Sequence, residues 1–459
     1  MTVLLAGLLT GGLFASGATP AFARPEHLAR TAERGVTTVT ARLAPPVVTA
    51  GEPAALVAQL SPAQQGRPVT VERYVGGAWA PLLDGTANAA GRAVVPLDTT
   101  QPGTQRLRVV AEAWNGGPAS APSRAVTLTV TTPDQCTPRT PLADPDADLA
   151  ARCLAARLDR WKGAGLMGVG QQLNMSSAAY TAPLAALGSR RVPVVGFDLW
   201  ELGKTRTYEF PFFDQALADL VAMAQGGAVL TASWHAPNPH TGREYNDRSW
   251  HSFGALLDSA TPEAQAFWAG YDEQLAVLAA LQAEGVAIVF RPFHEVNGDW
   301  FWWGRPNAAA FTKVYHQLQE RAWAAGVHNV LWGYSFAAAN RPGIVAPEKL
   351  LPARVDVAGI DSYYPSTGSH RGGQAPSMAG YAAVAKRVPR MAFTEIGPSA
   401  DKKQSWKPSV ITATAKAQPR RPLWALLWVD DASGYKQISS LNGGLSWLDS
   451  CPFGFCPVR

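Results

Sequence analysis

The sequence predicts a (β/α)8 barrel, an α/β fold, preceded by a small all-β sandwich. Three observations carry this prediction. Beyond residue 150, short apolar runs alternate with helical stretches. Between residues 36 and 130, runs of period two are broken every 8 to 12 residues by Gly, Pro, Asn or Asp. The 459 residues correspond to two or three domains at about 150 residues each. With 47% hydrophobic and 16% charged residues, the chain has the apolar content of a folded protein with a large core. The formal net charge of +5 is spread without a dense basic run and gives no support for nucleic-acid binding. Sixteen Trp residues stand beside only 8 His and 4 Cys, an excess that calls for large core residues or flat stacking surfaces.

Taken from the N-terminus, residues 2 to 18 form an apolar, Gly-rich run followed by Ala21-Phe22-Ala23. The run is shorter than the roughly 20 residues of a membrane span, and the A-x-A pattern marks a cleavage site, so residues 1–23 read as a secretory signal peptide. An extracellular location and no membrane association follow. Residues 36–130 contain "RPVTVERYV" (67–75), "GRAVVPLDT" (91–99), "QRLRVVAEAW" (105–114) and "SRAVTLTVT" (123–131), whose alternation and turn spacing predict an antiparallel sandwich. The segment resembles the immunoglobulin-like modules of secreted bacterial enzymes and is expected to act as a spacer, with sugar stacking on Trp79 or Trp114 as the alternative. Residues 131–148, with four Pro, read as a linker to a domain at 149–459.

Eight strand candidates follow: 166–173, 192–199, 228–235, 286–295, 329–336, 355–364, 390–397 and 422–430. Between them lie helical stretches such as 263–285, with Phe267, Tyr271, Leu275, Leu278 and Leu281 at helical spacing. Eight βα units in about 310 residues favour a closed barrel, and no G-x-G-x-x-G turn follows the first strand to suggest a doubly wound sheet. The four cysteines allow three pairings. Proximity in sequence favours Cys136 with Cys153 and Cys451 with Cys456, and neither pair has the spacing of a zinc site.

Barrel enzymes place their chemistry at the C-terminal ends of strands. Glu295 ends the fourth candidate, in "FRPFHEVNGDWFWWG" (290–304), and Glu395 ends the seventh, in "AFTEIG" (392–397). Strand alternation is expected to align Arg291, Phe293 and Glu295, and likewise Met391, Phe393 and Glu395, so that both glutamates face the barrel mouth. Paired carboxyls among aromatic rings suit glycosidic bond cleavage, in which a neutral acid protonates the leaving oxygen and an anion attacks or activates water. Neither role needs a metal or an organic cofactor. Position 298 is Gly, so the H-E-x-x-H pattern of zinc proteases is incomplete.

The run "RPFHEVNGDWFWWG", with "SWH" (233–235), "GIDSYY" (359–364) and "FTEIG" (393–397) in this order, resembles glycoside hydrolase family 26 over about residues 150–430. The resemblance implies a retaining endo-β-1,4-mannanase on a TIM barrel, with Glu295 as general acid/base and Glu395 as nucleophile. β-1,3-Xylanase or mixed-linkage β-glucanase activity is the alternative within the family, and a catalytically silent carbohydrate-binding protein the alternative outside it. A monomer acting on a polysaccharide is expected. By the same resemblance Tyr363 hydrogen-bonds the nucleophile, Asp361 contacts sugar hydroxyls, and His235 lies at the substrate cleft. His294 binds substrate or supports the carboxylates, and Arg291 contacts substrate or compensates buried acids. Trp300 and Trp303 follow the acid closely enough to offer stacking surfaces, Trp234, Trp424 and Trp428 lie at other strand ends, and Trp428 resembles the aromatic floor of a cleavage subsite.

Overall fold

A computed structural model describes residues 36–50, 52–204, 212–250, 252–340, 342–364 and 375–459. The signal peptide expected at residues 1–23 lies outside the described residues.

The first unit is all-β. Its strands are β1 (Thr38–Ala44), β2 (Val47–Thr49), β3 (Ala54–Ser61), β4 (Pro68–Val75), β5 (Ala78–Thr86), β6 (Arg92–Leu97), β7 (Gly103–Ala111) and β8 (Val126–Thr131). They form two sheets, ordered β1-β3-β6 and β2-β8-β7-β4-β5. Inward residues of both sheets, among them Leu56, Val95, Val71, Val109 and Leu128, make one shared core. The pairing departs from strict antiparallel order, because β2 runs parallel to β8. Pro45 and Pro46 separate β1 from β2, and proline lacks the N–H that would continue the first ladder, so the chain changes sheets there.

The second unit is a closed barrel of eight parallel strands: β9 (Leu166–Gln172), β10 (Val194–Asp198), β11 (Val229–Ser233), β12 (Ile288–Arg291), β13 (Val330–Ala337), β14 (Val357–Tyr364), β15 (Met391–Pro398) and β16 (Trp424–Leu427). Closure is explicit, since β9 pairs with both β10 and β16. A short β17 (Phe455–Pro457) adds antiparallel to the start of β9. Around the barrel run α1 (Leu149–Ala164), α2 (Ala182–Ala185), α3 (Leu199–Lys204), α4 (Phe213–Gln225), α5 (Pro262–Ala283), α6 (Ala308–Ala324), α7 (Tyr381–Ala385), α8 (Ser409–Lys416) and α9 (Gly444–Asp449). Among the described residues, no helix is long and apolar enough to cross a membrane.

Local sequence explains the helix limits. Thr261 accepts from the Ala264 N–H at 3.1 Å with Pro262 at the first helical position, which starts α5. Asp148 accepts from Ala151 N–H at 2.7 Å to start α1, and Gly165 ends it at φ 66°. The apolar side of α1, with Ala151, Leu154, Leu158 and Trp161, packs on Val194, Val229, Val289, Leu331 and Val357 near the beginnings of the barrel strands. It thereby closes the N-terminal end of the barrel. Pro46 and Val47 of the all-β unit lie against Gly285, just before β12, at that same end. Disulfides join Cys136 to Cys153 and Cys451 to Cys456, the pairing favoured by sequence.

One buried ion pair ties α1 to the barrel. Asp159 receives Arg390 Nε at 2.9 Å and Nη2 at 2.8 Å, and also the Arg139 N–H at 2.8 Å. Removing one partner of such a pair leaves an uncompensated buried charge. Asp159→Ala is therefore expected to destabilise the protein by about 3–5 kcal/mol in a denaturant titration.

Candidate active site

Strand parity decides what the barrel mouth contains. On β10 and β11 the inward series ends in Asp198 and Ser233, while Phe197, Ala232 and Trp234 face the helices, with Trp234 packed on Phe267 and Tyr271 of α5. Trp234 is thus a core residue and not the cleft surface expected from sequence. Trp424 begins β16 and is fully buried in the layer that α1 covers, so it too lies away from the mouth. Trp428, one residue past β16, is partly exposed there, and its ring lies 6.3 Å from that of His235.

Glu295 reaches the mouth by a route that alternation does not describe. The strand stops at Arg291, and Phe293 and Glu295 adopt positive φ of 52° and 54°. Phe293 turns outward onto Phe253 and Phe267, whereas Arg291 stays inside, so these residues do not share a face. Positive φ costs on the order of 1–3 kcal/mol at a non-glycine residue and needs fixed surroundings. Those are present: Glu295 N–H donates to Ser335 O at 2.9 Å, and buried Asn297 bonds Ala337 O, Val345 O and Ala337 N–H.

The Trp-rich run divides by function. Trp302 and Trp303 are buried, their indole N–H groups donating to Ala236 O at 2.8 Å and His294 O at 2.9 Å. They anchor the loop, which corrects the expectation of a stacking role for Trp303. Trp300 stays partly exposed and donates to Glu295 Oε2 at 2.5 Å. Its ring lies over Gly298, where a Cβ would come within 2.2 Å of it.

Glu395 reaches the mouth through a bulge. Ile360 pairs with Phe393 but Asp361 pairs with Glu395, leaving Thr394 extra on β15. Phe393 consequently packs outward on Tyr381, while Thr394 and Glu395 both turn inward. Gly359 makes room for Thr394, whose side chain would lie 2.3 Å from a Cβ there. Glu395 accepts from Arg291 Nη1 at 3.1 Å and from Tyr363 Oη at 2.9 Å. Asp361 is buried beside it, with Oδ2 2.7 Å from Ser335 Oγ and Oδ1 3.8 Å from Arg291. It lies beneath the mouth as part of the charge network. Among the described residues, Glu295, Asp361 and Glu395 form the one acidic group whose oxygens all lie within 4.8 Å of one another, close enough to hold a cation, although Arg291 already faces two of the three.

The electrostatics separate these acids. Burial, reinforced by Asp361 and Glu395, pushes the Glu295 carboxyl well above the usual range, against the opposing effects of Trp300 and Arg291. Burial and the Glu395 charge raise Asp361 to about 8. Burial and the surrounding acids likewise keep the Tyr363 hydroxyl protonated as a donor. His294 is held neutral by burial and by the positive groups His235 and Arg291, and its ring meets that of His235 edge-on at 4.5 Å. Asp198, at the end of β10, accepts from Ser233 Oγ, the His235 N–H and His235 Nδ1. Sequence reasoning missed Asp198, although an acid at the end of an apolar barrel strand was the signal used for the two glutamates. Ser335 and Tyr245 carried no such signal.

Glu295 binds its proton more tightly in the folded than in the unfolded state. Its contribution to stability is therefore complete below the ordinary glutamate value of 4.5 and is lost as pH rises towards the folded value. Glu295→Gln removes this loss. Its melting temperature is expected to match wild type near about pH 4 and to exceed it increasingly from about pH 5 to 8.

Comparison with known proteins follows the same outline. The family model described as glycosyl hydrolase family 26 matches residues 169–446. A mannan endo-1,4-beta-mannosidase of Bacillus subtilis (strain 168) is 27% identical over 259 residues, which are 50% of this chain and 66% of that protein. Mannan endo-1,4-beta-mannosidase A and B of Caldalkalibacillus mannanilyticus is 28% identical over 228 residues, 46% of this chain and 42% of that one. The chain thus spans less than two thirds of either relative. Among solved structures, the catalytic domain of a Bacillus sp. JAMB-750 endo-beta-1,4-mannanase aligns with a TM-score of 0.56 at 20% identity, covering 68% of this chain and 92% of that one. A modular endo-beta-1,4-mannanase from Cellulomonas fimi aligns at 0.53 and 24%, covering 64% and 72%. At these identities the structures speak to the fold, and the family model settles the kinship: the chain belongs to glycosyl hydrolase family 26.

Proposed function

We propose that the chain is a secreted endo-β-1,4-mannanase that cuts inside mannan chains by retaining double displacement. The observation that carries this reading is the close pairing of a neutral acid with a bound anion: Glu295 and Glu395 offer oxygens within 4.8 Å of one another, and Arg291 and Tyr363 hold Glu395 as an acceptor. Retaining glycosidases place their carboxyl groups about 5–5.5 Å apart, whereas inverting enzymes leave about 6.5–9.5 Å for a water.

In the first step Glu395 Oε attacks the anomeric carbon as the bond to the interglycosidic oxygen breaks, and Glu295 gives that oxygen its proton. In the second step the Glu295 carboxylate takes a proton from water, whose oxygen displaces Glu395. Trp300, held against the acid, and Trp428, across the cleft, offer ring faces for pyranose C–H surfaces. The relatives named as mannan endo-1,4-beta-mannosidases favour mannan over β-1,3-xylan or mixed-linkage glucan. Export is supported by two disulfides, which persist in oxidising compartments. The all-β unit, docked at the barrel end opposite the cleft, reads as an immunoglobulin-like spacer.

Reducing-sugar release from mannan, mixed-linkage glucan and β-1,3-xylan tests the substrate, with mannan expected to be cut fastest. On mannan, Glu295→Ala is expected to lose roughly 10²–10⁴-fold in kcat, and Glu395→Ala at least as much. An aryl mannoside whose leaving group needs no protonation separates the roles: it should rescue the first step in Glu295→Ala and leave Glu395→Ala inactive. Near wild-type turnover of mannan by either variant contradicts the assignment.

A further inference from the structure

Asp198 is 1% exposed and receives five donors. Its Oδ1 takes the N–H groups of Trp200 at 3.0 Å and Glu201 at 3.2 Å, which caps α3. Its Oδ2 takes Ser233 Oγ at 2.9 Å, the His235 N–H at 3.0 Å and His235 Nδ1 at 2.9 Å. A ring nitrogen 2.9 Å from an acceptor-only carboxylate oxygen carries a proton, so the proton on Nδ1 is fixed. The opposite ring nitrogen, Nε2, has no hydrogen-bond partner among the described residues. The ring is packed by Tyr245 at 4.2 Å, His294 at 4.5 Å and Phe301 at 5.8 Å, with Trp428 edge-on at 6.3 Å.

We propose that Asp198 is a positioning residue of the active site: through the Nδ1–H bond it fixes the orientation of His235 and keeps Nε2 turned towards a hydroxyl of the sugar ring seated beside Glu395. This rests on the glycosidase reading above. The titratable groups facing His235 are Asp198 from β10, Glu201 from α3, Glu395 from β15, and His294 and Tyr245 from the loops. Burial disfavours the imidazolium, but Asp198, Glu395 and Glu201 outweigh it and raise the His235 value. The adjacent His294 is pushed the other way, so the surroundings move two histidines in edge-on contact in opposite directions. A ring held in one orientation needs no reorganisation when a sugar hydroxyl binds its free nitrogen.

A purely structural Asp198, serving only as a helix cap and a tie between strands, makes a different prediction. Asparagine caps helices as well as aspartate does, so Asp198→Asn preserves α3 and removes the charge facing His235. The variant, whose amide NH2 replaces the oxygen that accepts from Ser233 and His235, is expected to fold but melt below the wild-type temperature, to lose roughly 10- to 100-fold in kcat/KM on mannan, and to shift the basic limb of its pH profile down by about one unit or more. In a His235→Ala background the same substitution should change kcat/KM by less than about twofold, because the residue it positions is gone. An equal loss in both backgrounds, with an unshifted pH profile, overturns the proposal. Should Asp198→Asn fail to fold, ¹⁵N NMR of the wild-type histidines decides: His235, assigned by its absence in His235→Ala, must carry a proton on Nδ1, and a bare Nδ1 overturns the proposal. If wild type releases no sugar from mannan, the substrate reading fails, while the NMR result still reports on the Asp198–His235 pair.

Discussion

The site depends on a guanidinium sealed inside the barrel. Arg291 is fully buried, and its Nη1 lies 3.1 Å from Glu395 and 3.8 Å from Asp361. Three carboxyls whose oxygens fall within 4.8 Å of one another cannot all ionise away from water without a counter-charge. One buried cation supports one strongly bound anion, and the remaining acids keep their protons. The nearest carboxylate, Glu395, takes the ion pair and the Tyr363 hydroxyl. Asp361, raised to about 8, and Glu295, pushed well above the usual carboxyl range, are then neutral near pH 7. A division into one anion and two neutral acids follows from where one arginine sits.

Backbone irregularity puts these groups within reach of each other. A regular β15 would turn Glu395 to the same side as Phe393, which packs against α7; the extra residue at Thr394 restores it to the interior. A regular continuation of β12 would carry Glu295 along the wall, whereas two positive-φ residues bring it over the mouth. Both departures are held by buried polar groups: Ser335 binds Asp361 and Thr394, and Asn297 pins the loop after β12 to β13. Beneath them, the apolar inward residues near the strand starts and the covering α1 give the mouth a rigid base.

Much of this was legible in the sequence. Strands of a parallel barrel are buried on both faces and read as continuous apolar runs, so all eight stood out from their helical neighbours. The two glutamates were visible as acids ending such runs. Side-chain direction was less legible, because period-two counting holds only while the strand is regular, and it failed at Phe293 and at Thr394. The tryptophans show the same limit. Trp424 and Trp428 share inward parity but stand at opposite ends of the barrel, and Trp300 and Trp302 differ only in which way a loop turns. Asp198 lay in plain view at the end of "VVGFD", but its meaning depends on His235, 37 residues further on.

The central claim is that Glu395 is the anion that bonds to sugar while Glu295 remains the proton carrier. Peptide mapping by mass spectrometry after incubation with a 2-fluoro-substituted manno-oligosaccharide bearing a reactive leaving group tests it most directly. The account predicts one glycosyl adduct per chain, on the peptide that contains Glu395. An adduct on Glu295, or turnover with inversion and no adduct, would contradict it.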